Sequence, residues 1–193
     1  ISTLRTLTRR NGGESVSKNK AMAFVANLRV PTMSETVQLN PGDSAPAFTA
    51  LDEQGNEHTL QGYLDDGKTV ILYFYPKDST PGCTTQACDF RDNMGRLTGE
   101  GHVVLGVSKD SQKSHARFVD KQELNFPLLV DEDLTLHQAY GAWRLKMNYG
   151  REYMGSARST FVIKPDGTLQ WCRYNVKAKG HVGMLMRELG LGE

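Results

Sequence analysis

Cys83 and Cys88 stand five residues apart in the stretch VILYFYPKDSTPGCTTQACDFRDNM, residues 70–94, and the third cysteine, Cys172, lies far from both. Sulfur acts as a nucleophile when it is thiolate, and a free thiol with a pKa near ~8.5 is mostly protonated at neutral pH. The residues around Cys83 bear on that problem. Thr80, three positions earlier, carries a hydroxyl that can both donate and accept. Pro76 and Pro81 stiffen the segment between, so these groups can be held in place. Two other chemistries are disfavoured. Zinc sites prefer cysteines two to four apart beside a second such cluster, and His58, His102, His115, His137 and His181 are dispersed. A reductase of the thioredoxin type wants C-x-x-C, and the spacing here is C-x4-C. An inert buried cysteine is the remaining alternative, and the constrained loop argues against it.

The elements that must position these residues follow from the apolar pattern. Val70 to Tyr75 is a short run rich in aromatic and branched residues, a buried strand that Pro76 ends. Lys77 to Gly82 is turn-forming, and a helix is expected from about Cys83 to Leu97. Strand, tight loop and helix would present the Cys83 sulfur to the positive end of a helix dipole and to free backbone N–H groups. Upstream, Phe48–Leu51 and Glu57–Leu60 flank a turn at Gly55 and predict a hairpin. Gly62–Lys68 reads as a polar connection. Downstream come a strand over His102–Ser108, a helix over Ser111–Gln122 with Ser111 as its cap, a strand over Leu128–Val130 and a short helix over Leu134–Tyr140. Gly141–Ser156 reads as a long irregular segment in which Trp143 and Tyr149 are packing residues. Ser159–Lys164 and Thr168–Tyr174 predict an antiparallel pair, and Ala178–Leu189 a last helix. This order predicts an α/β sandwich: a mixed central sheet flanked by helices, preceded by an N-terminal β-hairpin.

Composition bounds the rest. A chain of 193 residues suffices for one domain with a full core. Residues 1–32 hold six Lys/Arg and only Glu14 as an acid, leaving 17 basic and 21 acidic residues in the remainder, a balance of −4. A mildly acidic body gives no electrostatic case for nucleic acid, and no apolar run approaches the ~18 residues that span a membrane. Three cysteines are too few for a disulfide-stapled scaffold of this length and point to a reducing, cytoplasmic setting. Residues 1–36 form a basic Ser/Thr-rich leader ahead of a domain over 37–193. It is expected to be upstream sequence before a native start at Met33, with a disordered tail or an organelle transit peptide as alternatives.

Several motifs together resemble the peroxiredoxins, and within them the PrxQ or bacterioferritin comigratory subfamily. Pro76-x-x-x-Thr80-x-x-Cys83 is similar to that family's active-site signature, and Cys88 sits where the subfamily has a second cysteine. The likeness continues in Pro41 to Phe48, Thr84 to Asn93, Phe126 to Leu129, Tyr149-Gly150, Arg158 to Phe161 and Asn175 to His181, from about Leu39 to Leu191. The resemblance implies a thioredoxin-like fold and thiol-dependent reduction of peroxides without metal or organic cofactor. It implies Cys83 as the peroxidatic cysteine, Thr80 as a hydrogen-bonding partner of the peroxide, Arg158 as the thiolate's cation and Pro76 as a shield from solvent. Cys88 would resolve the sulfenic acid as an intramolecular disulfide, recycled by thioredoxin or a similar thiol reductant, in a monomer. A binding or chaperone module on the same fold is the competing reading. From its own context, Arg158 is a surface cation at a strand start, Thr84 an exposed first-turn residue, and Cys172 a half-buried strand residue.

A disulfide between Cys83 and Cys88 has a geometric condition. Five helical residues advance about 7.5 Å and leave the two about 140° apart, with Cα atoms about 8.7 Å from each other. A disulfide tolerates at most about 6.8 Å. The helix is therefore expected to open when the bond forms.

Overall fold

The computed structural model describes residues 36–192, so the expectations for residues 1–35 lie outside the described residues. A two-stranded antiparallel sheet, β1 (Thr49–Leu51) and β2 (Glu57–Thr59), opens the chain as the expected hairpin. Helix α1 (Leu60–Asp65) comes next, where a polar connection was expected. Its start is fixed by Thr59, whose side chain accepts from the Gly62 N–H at 3.1 Å. Gly62, inside this single turn and a half, disguises it as loop.

The central sheet comprises β3 (Thr69–Phe74), β4 (His102–Ser108), β5 (Leu128–Val130), β8 (Ser159–Ile163) and β9 (Leu169–Arg173), in the order β5-β4-β3-β8-β9. β3, β4 and β5 are parallel, while β8 and β9 run antiparallel to their neighbours. The sheet is thus mixed with an antiparallel last pair, as expected, and the fold is the thioredoxin-like sandwich. Alternation along β3 assigns its side chains to two cores. Ile71 and Tyr73, with Tyr75 beyond the strand end, face the layer of α2 (Pro81–Gly99), α3 (Gln112–Gln122) and α5 (His181–Glu188). Val70, Leu72 and Phe74 face the layer that includes β1, α1 and α4 (Thr135–Ala139). All six side chains are essentially inaccessible.

The segment expected to be irregular, 141–156, is a hairpin of β6 (Trp143–Asn148) and β7 (Arg151–Ser156). Its two-residue loop has positive φ at both Tyr149 (49°) and Gly150 (76°), as a type I′ turn requires. Tyr in place of the usual Asn or Asp hides that turn in the sequence. Tyr149 is fully exposed and is not a packing residue, and Leu145 and Met147 are also exposed. The hairpin holds together by pairing with itself, which leaves no burial pattern to read. Trp143 does pack, edge-on to His137 at 6.3 Å.

Between β3 and α2 lies the loop that the rest of the fold holds in place. Ser79 has φ of 57°, a left-handed conformation uncommon outside Gly, Asn and Asp. Asp78, 6 % exposed, is its anchor. The Asp78 carboxylate accepts from Tyr75 Oη at 2.7 Å, Ser114 Oγ at 2.7 Å and His115 Nδ1 at 2.9 Å, and its N–H donates to Asp110 at 2.9 Å. His115, wholly buried on α3, also points Nε2 at the Leu129 carbonyl at 3.2 Å, so both ring nitrogens face acceptors. Burial pushes the Asp78 carboxyl up, but the His115 hydrogen bond and charge, then Ser114 and Tyr75, outweigh it and leave the group below its ordinary value.

Removing one member of a buried pair leaves the other charge uncompensated. His115→Leu is expected to lower stability by roughly 3–5 kcal/mol, read by urea denaturation at neutral pH. Because native Asp78 titrates below its unfolded value, the native state binds fewer protons there than the unfolded chain does. The pair's contribution is therefore complete above about pH 4 and lost as pH falls through the native value. Stability of the wild type, but not of His115→Leu, should carry this acid limb. A variant with wild-type stability and an unchanged limb would show that the network does not anchor the loop.

Candidate active site

Register brings the candidate residues together. In the antiparallel pair of β3 and β8, Phe74 is opposite Ser159. Arg158, immediately before β8, therefore lies beside the point where β3 gives way to the loop. The helix after that loop starts two residues earlier than expected, with Thr80 as N-cap and Pro81 in the first turn. Pro is suited to this place because its missing N–H has no helical partner there. Cys83 is thus the third residue of α2, still in the first turn, where unpaired N–H groups and the dipole favour negative charge.

Cys83 is 2 % exposed and belongs to the core facing α2, α3 and α5. Arg158 Nη2 donates to its sulfur at 3.3 Å. A guanidinium at that distance supplies a hydrogen bond and an opposite charge where water cannot compete. Gly82 lies against the same guanidinium. A Cβ there would press on Ala178 Cβ at 3.3 Å, which would have to give by a few tenths of an ångström, and would meet Arg158 Nη2 at an ordinary contact distance of 3.5 Å. The segment after β9 is tied to the same place by the Val176 N–H, which donates to the Arg158 carbonyl at 2.9 Å.

Thr80 does not cap α2 with its side chain. Its hydroxyl donates to the Lys77 carbonyl at 3.0 Å, so its lone pairs are left for another donor. Pro76 is half-buried directly after Tyr75. Thr84, expected to be exposed, is half-buried. Cys88 lies elsewhere on the helix, half-buried, and its thiol faces Gln122 Oε1 of α3 at 3.6 Å. Arg91 secures that contact by donating to the Gln122 carbonyl at 2.6 Å. All three cysteines are free thiols. Cys172, half-buried on β9 as expected, donates to the Leu39 carbonyl at 3.4 Å, and burial, then Asp43, push its pKa up, away from thiolate chemistry.

The structure adds a residue that the sequence pattern did not single out. Gln86, fully buried, accepts through Oε1 from Arg158 Nη1 and reaches His181 Nδ1 through Nε2 at 2.9 Å. Its place three residues after Cys83, on the same helix face, was the available signal. His181 lies 95 residues away from it, at the end of the Asn175–His181 motif, and nothing in the sequence pairs the two.

The arrangement sets a buried thiol against a guanidinium in the first turn of a helix, with the Thr80 hydroxyl at that helix's N-cap and a second thiol on the same helix. Comparison with known proteins agrees with this chemistry. Residues 41–172 match the model of the AhpC/TSA family. Peroxiredoxin Bcp of Bacillus subtilis is 45 % identical over 150 residues, covering 77 % of this chain and 93 % of that protein. Peroxiredoxin Bcp of Escherichia coli is 40 % identical over 151 residues, covering 78 % and 96 %. Among solved structures, the bacterioferritin comigratory protein of Xanthomonas campestris, described for its alkyl peroxide reduction activity, superposes with a TM-score of 0.70 at 37 % identity, covering 74 % of this chain and 90 % of that one. PrxQ of Xylella fastidiosa gives a TM-score of 0.74 at 33 % identity, covering 80 % and 97 %. With the thiol, its cation and the fold that joins them all accounted for, this chain belongs to the AhpC/TSA family, among its Bcp/PrxQ peroxiredoxins.

Proposed function

We propose that the chain reduces hydrogen peroxide and organic hydroperoxides at Cys83 and closes the cycle through a Cys83–Cys88 disulfide. The observation that carries this reading is the contact of Arg158 with the buried Cys83 sulfur. The thiolate attacks one peroxide oxygen, the O–O bond breaks, and the departing oxygen takes a proton to leave as water or alcohol. Sulfur is oxidised to sulfenic acid and the peroxide is reduced. Thr80, its own proton engaged by Lys77, accepts from the peroxide hydroxyl, and Arg158 turns from the thiolate to the developing oxyanion. Cys88 thiolate then displaces hydroxide from the sulfenic acid, which leaves as water and forms the disulfide. A dithiol such as thioredoxin reduces it by exchange and takes up the oxidising equivalents. A module that only bound partners would have no use for a guanidinium on a buried thiol.

A thioredoxin-coupled assay beside a count of thiols lost per peroxide tests the division of labour. Cys83→Ser should lose both activities. Cys88→Ser should keep the first oxidation and lose thioredoxin-linked turnover. Cys172→Ser should keep both. Turnover by Cys83→Ser would end the proposal.

Arg158→Ala should slow peroxide reduction by about 10²-fold or more, the usual worth of a group aimed at developing charge. It should also slow thiolate-selective alkylation of Cys83 at neutral pH. Alkylation at the wild-type rate would remove Arg158 from the role of thiolate cation.

Both cysteines lie within α2, so the bond requires part of that helix to unwind. Amide exchange from about Cys83 to Phe90 should be faster in the oxidised protein, with less helical circular dichroism. Equal protection in both states, with the bond confirmed by peptide mapping, would rule out unwinding of this segment.

A further inference from the structure

His181 is 2 % exposed at the first position of α5, with its ring edge-on to Phe90 at a centroid distance of 6.0 Å. Its Nδ1 lies 2.9 Å from Gln86 Nε2. The far end of the same amide determines which atom carries the proton. A guanidinium has donors only, and Arg158 Nη1 donates to Gln86 Oε1. The amide oxygen is therefore committed to Arg158, and the NH2 group faces His181. Nδ1 must accept, which puts the proton of the neutral ring on Nε2. That atom is buried without a partner among the described residues. A buried donor left unpaired is unfavourable, so the hydrogen bonds of Gln86, not a partner at Nε2, select this tautomer.

We propose that His181 is a positioning residue for peroxide reduction: its bare Nδ1 orients the Gln86 amide, which orients the Arg158 guanidinium on the Cys83 sulfur. This rests on the assignment of Cys83 as the peroxide-reactive thiol. The relay has one polarity. A proton on Nδ1 would meet the amide hydrogens of Gln86, and turning the amide over would only move the conflict to Arg158. The charged groups around the ring are cations: Arg158 ahead of β8 and Arg173 on β9 act on it, and Lys177 and Lys179 line the same pocket as His181, while α2 offers the uncharged Gln86 and Phe90. Burial first, then Arg158 and Arg173, hold the imidazole neutral, with a pKa of about 4. The cation that the relay serves thus also guards the protonation state on which the relay depends.

The test joins a spectroscopic readout to a kinetic one. Nitrogen-15 NMR of the reduced, unmodified protein at pH 7 should show His181 with Nδ1 unprotonated and Nε2 protonated. Gln86→Glu still accepts from Arg158 but needs a donor opposite, so it should move the His181 proton onto Nδ1. In stopped-flow oxidation of Cys83 by hydrogen peroxide, His181→Phe keeps a ring but loses the acceptor, and should slow the reaction about five- to tenfold, the worth of one hydrogen bond. His181→Asn, whose Oδ1 takes the place of Nδ1, should stay within about twofold, even where both variants lose similar melting temperature. A proton found on Nδ1 of the unmodified protein overturns the proposal, as does equal slowing of the two variants. If His181→Phe does not fold, the tautomer and its response to Gln86→Glu decide. A wild-type protein whose Cys83 ignores peroxide would instead overturn the peroxidase assignment and the proposal with it, and is recognised as such because it shows in the wild type.

Discussion

On the proposed mechanism Cys83 must ionise while almost wholly shielded from water, and the rest of the structure depends on that constraint. Desolvation opposes the charge, so the compensation has to be built in and fixed before the reaction. Three sources converge on Cys83. The first turn of α2 contributes its unpaired N–H groups, Arg158 contributes a guanidinium at 3.3 Å, and Gln86 fixes the orientation of that guanidinium from the same helix. The topology serves this convergence. Because β8 runs antiparallel to β3, a residue just before β8 necessarily meets the segment just after β3. A parallel partner would have placed its other end there.

The part of this design that is local in sequence was legible. A strand closed by Pro76, a turn series and two cysteines announce a thiol in the first turn of a helix, and the central strands and α3 with its Ser111 cap emerge close to their expected bounds. Position along the chain did not reveal what closes the site in space. Asp78 reads as a turn residue until Ser114 and His115 are seen against it, and nothing near His181 in sequence points to Gln86. The errors in secondary structure have a common cause. α1 is one and a half turns long with a glycine inside, and β6–β7 is a hairpin whose apolar residues face outward, so neither leaves the periodic burial that sequence patterns detect. The start of α2 was misplaced because Pro81 looks like the end of a turn when it is the beginning of a helix.

Helix α3 links the two thiols in a way that their spacing does not suggest. Its first turn holds the Cys83 loop through Ser114 and His115, and its last residue, Gln122, meets Cys88 and Arg91. The loop contact is a buried charge pair, whereas the Cys88 contact is a single long thiol hydrogen bond. On the proposed mechanism the difference in strength has a use: the loop would stay where it is, and Cys88 would leave its contact. The helix between the cysteines is similarly graded. Toward the core it presents only Gln86 and Ala87 before Phe90, which stacks on Tyr73 at 4.7 Å and anchors the C-terminal turns of the helix.

The two tryptophans fall on opposite sides of the central sheet. Trp171 packs against the cluster that contains Cys83, Phe90 and Met186, while Trp143 packs on His137, whose ring in turn meets Phe74 on the other face. Repacking of the Cys83 cluster therefore has one indole at its border and the other beyond the central sheet. The two indoles thus report on different cores: one borders the layer that holds Cys83, the other the layer across the sheet.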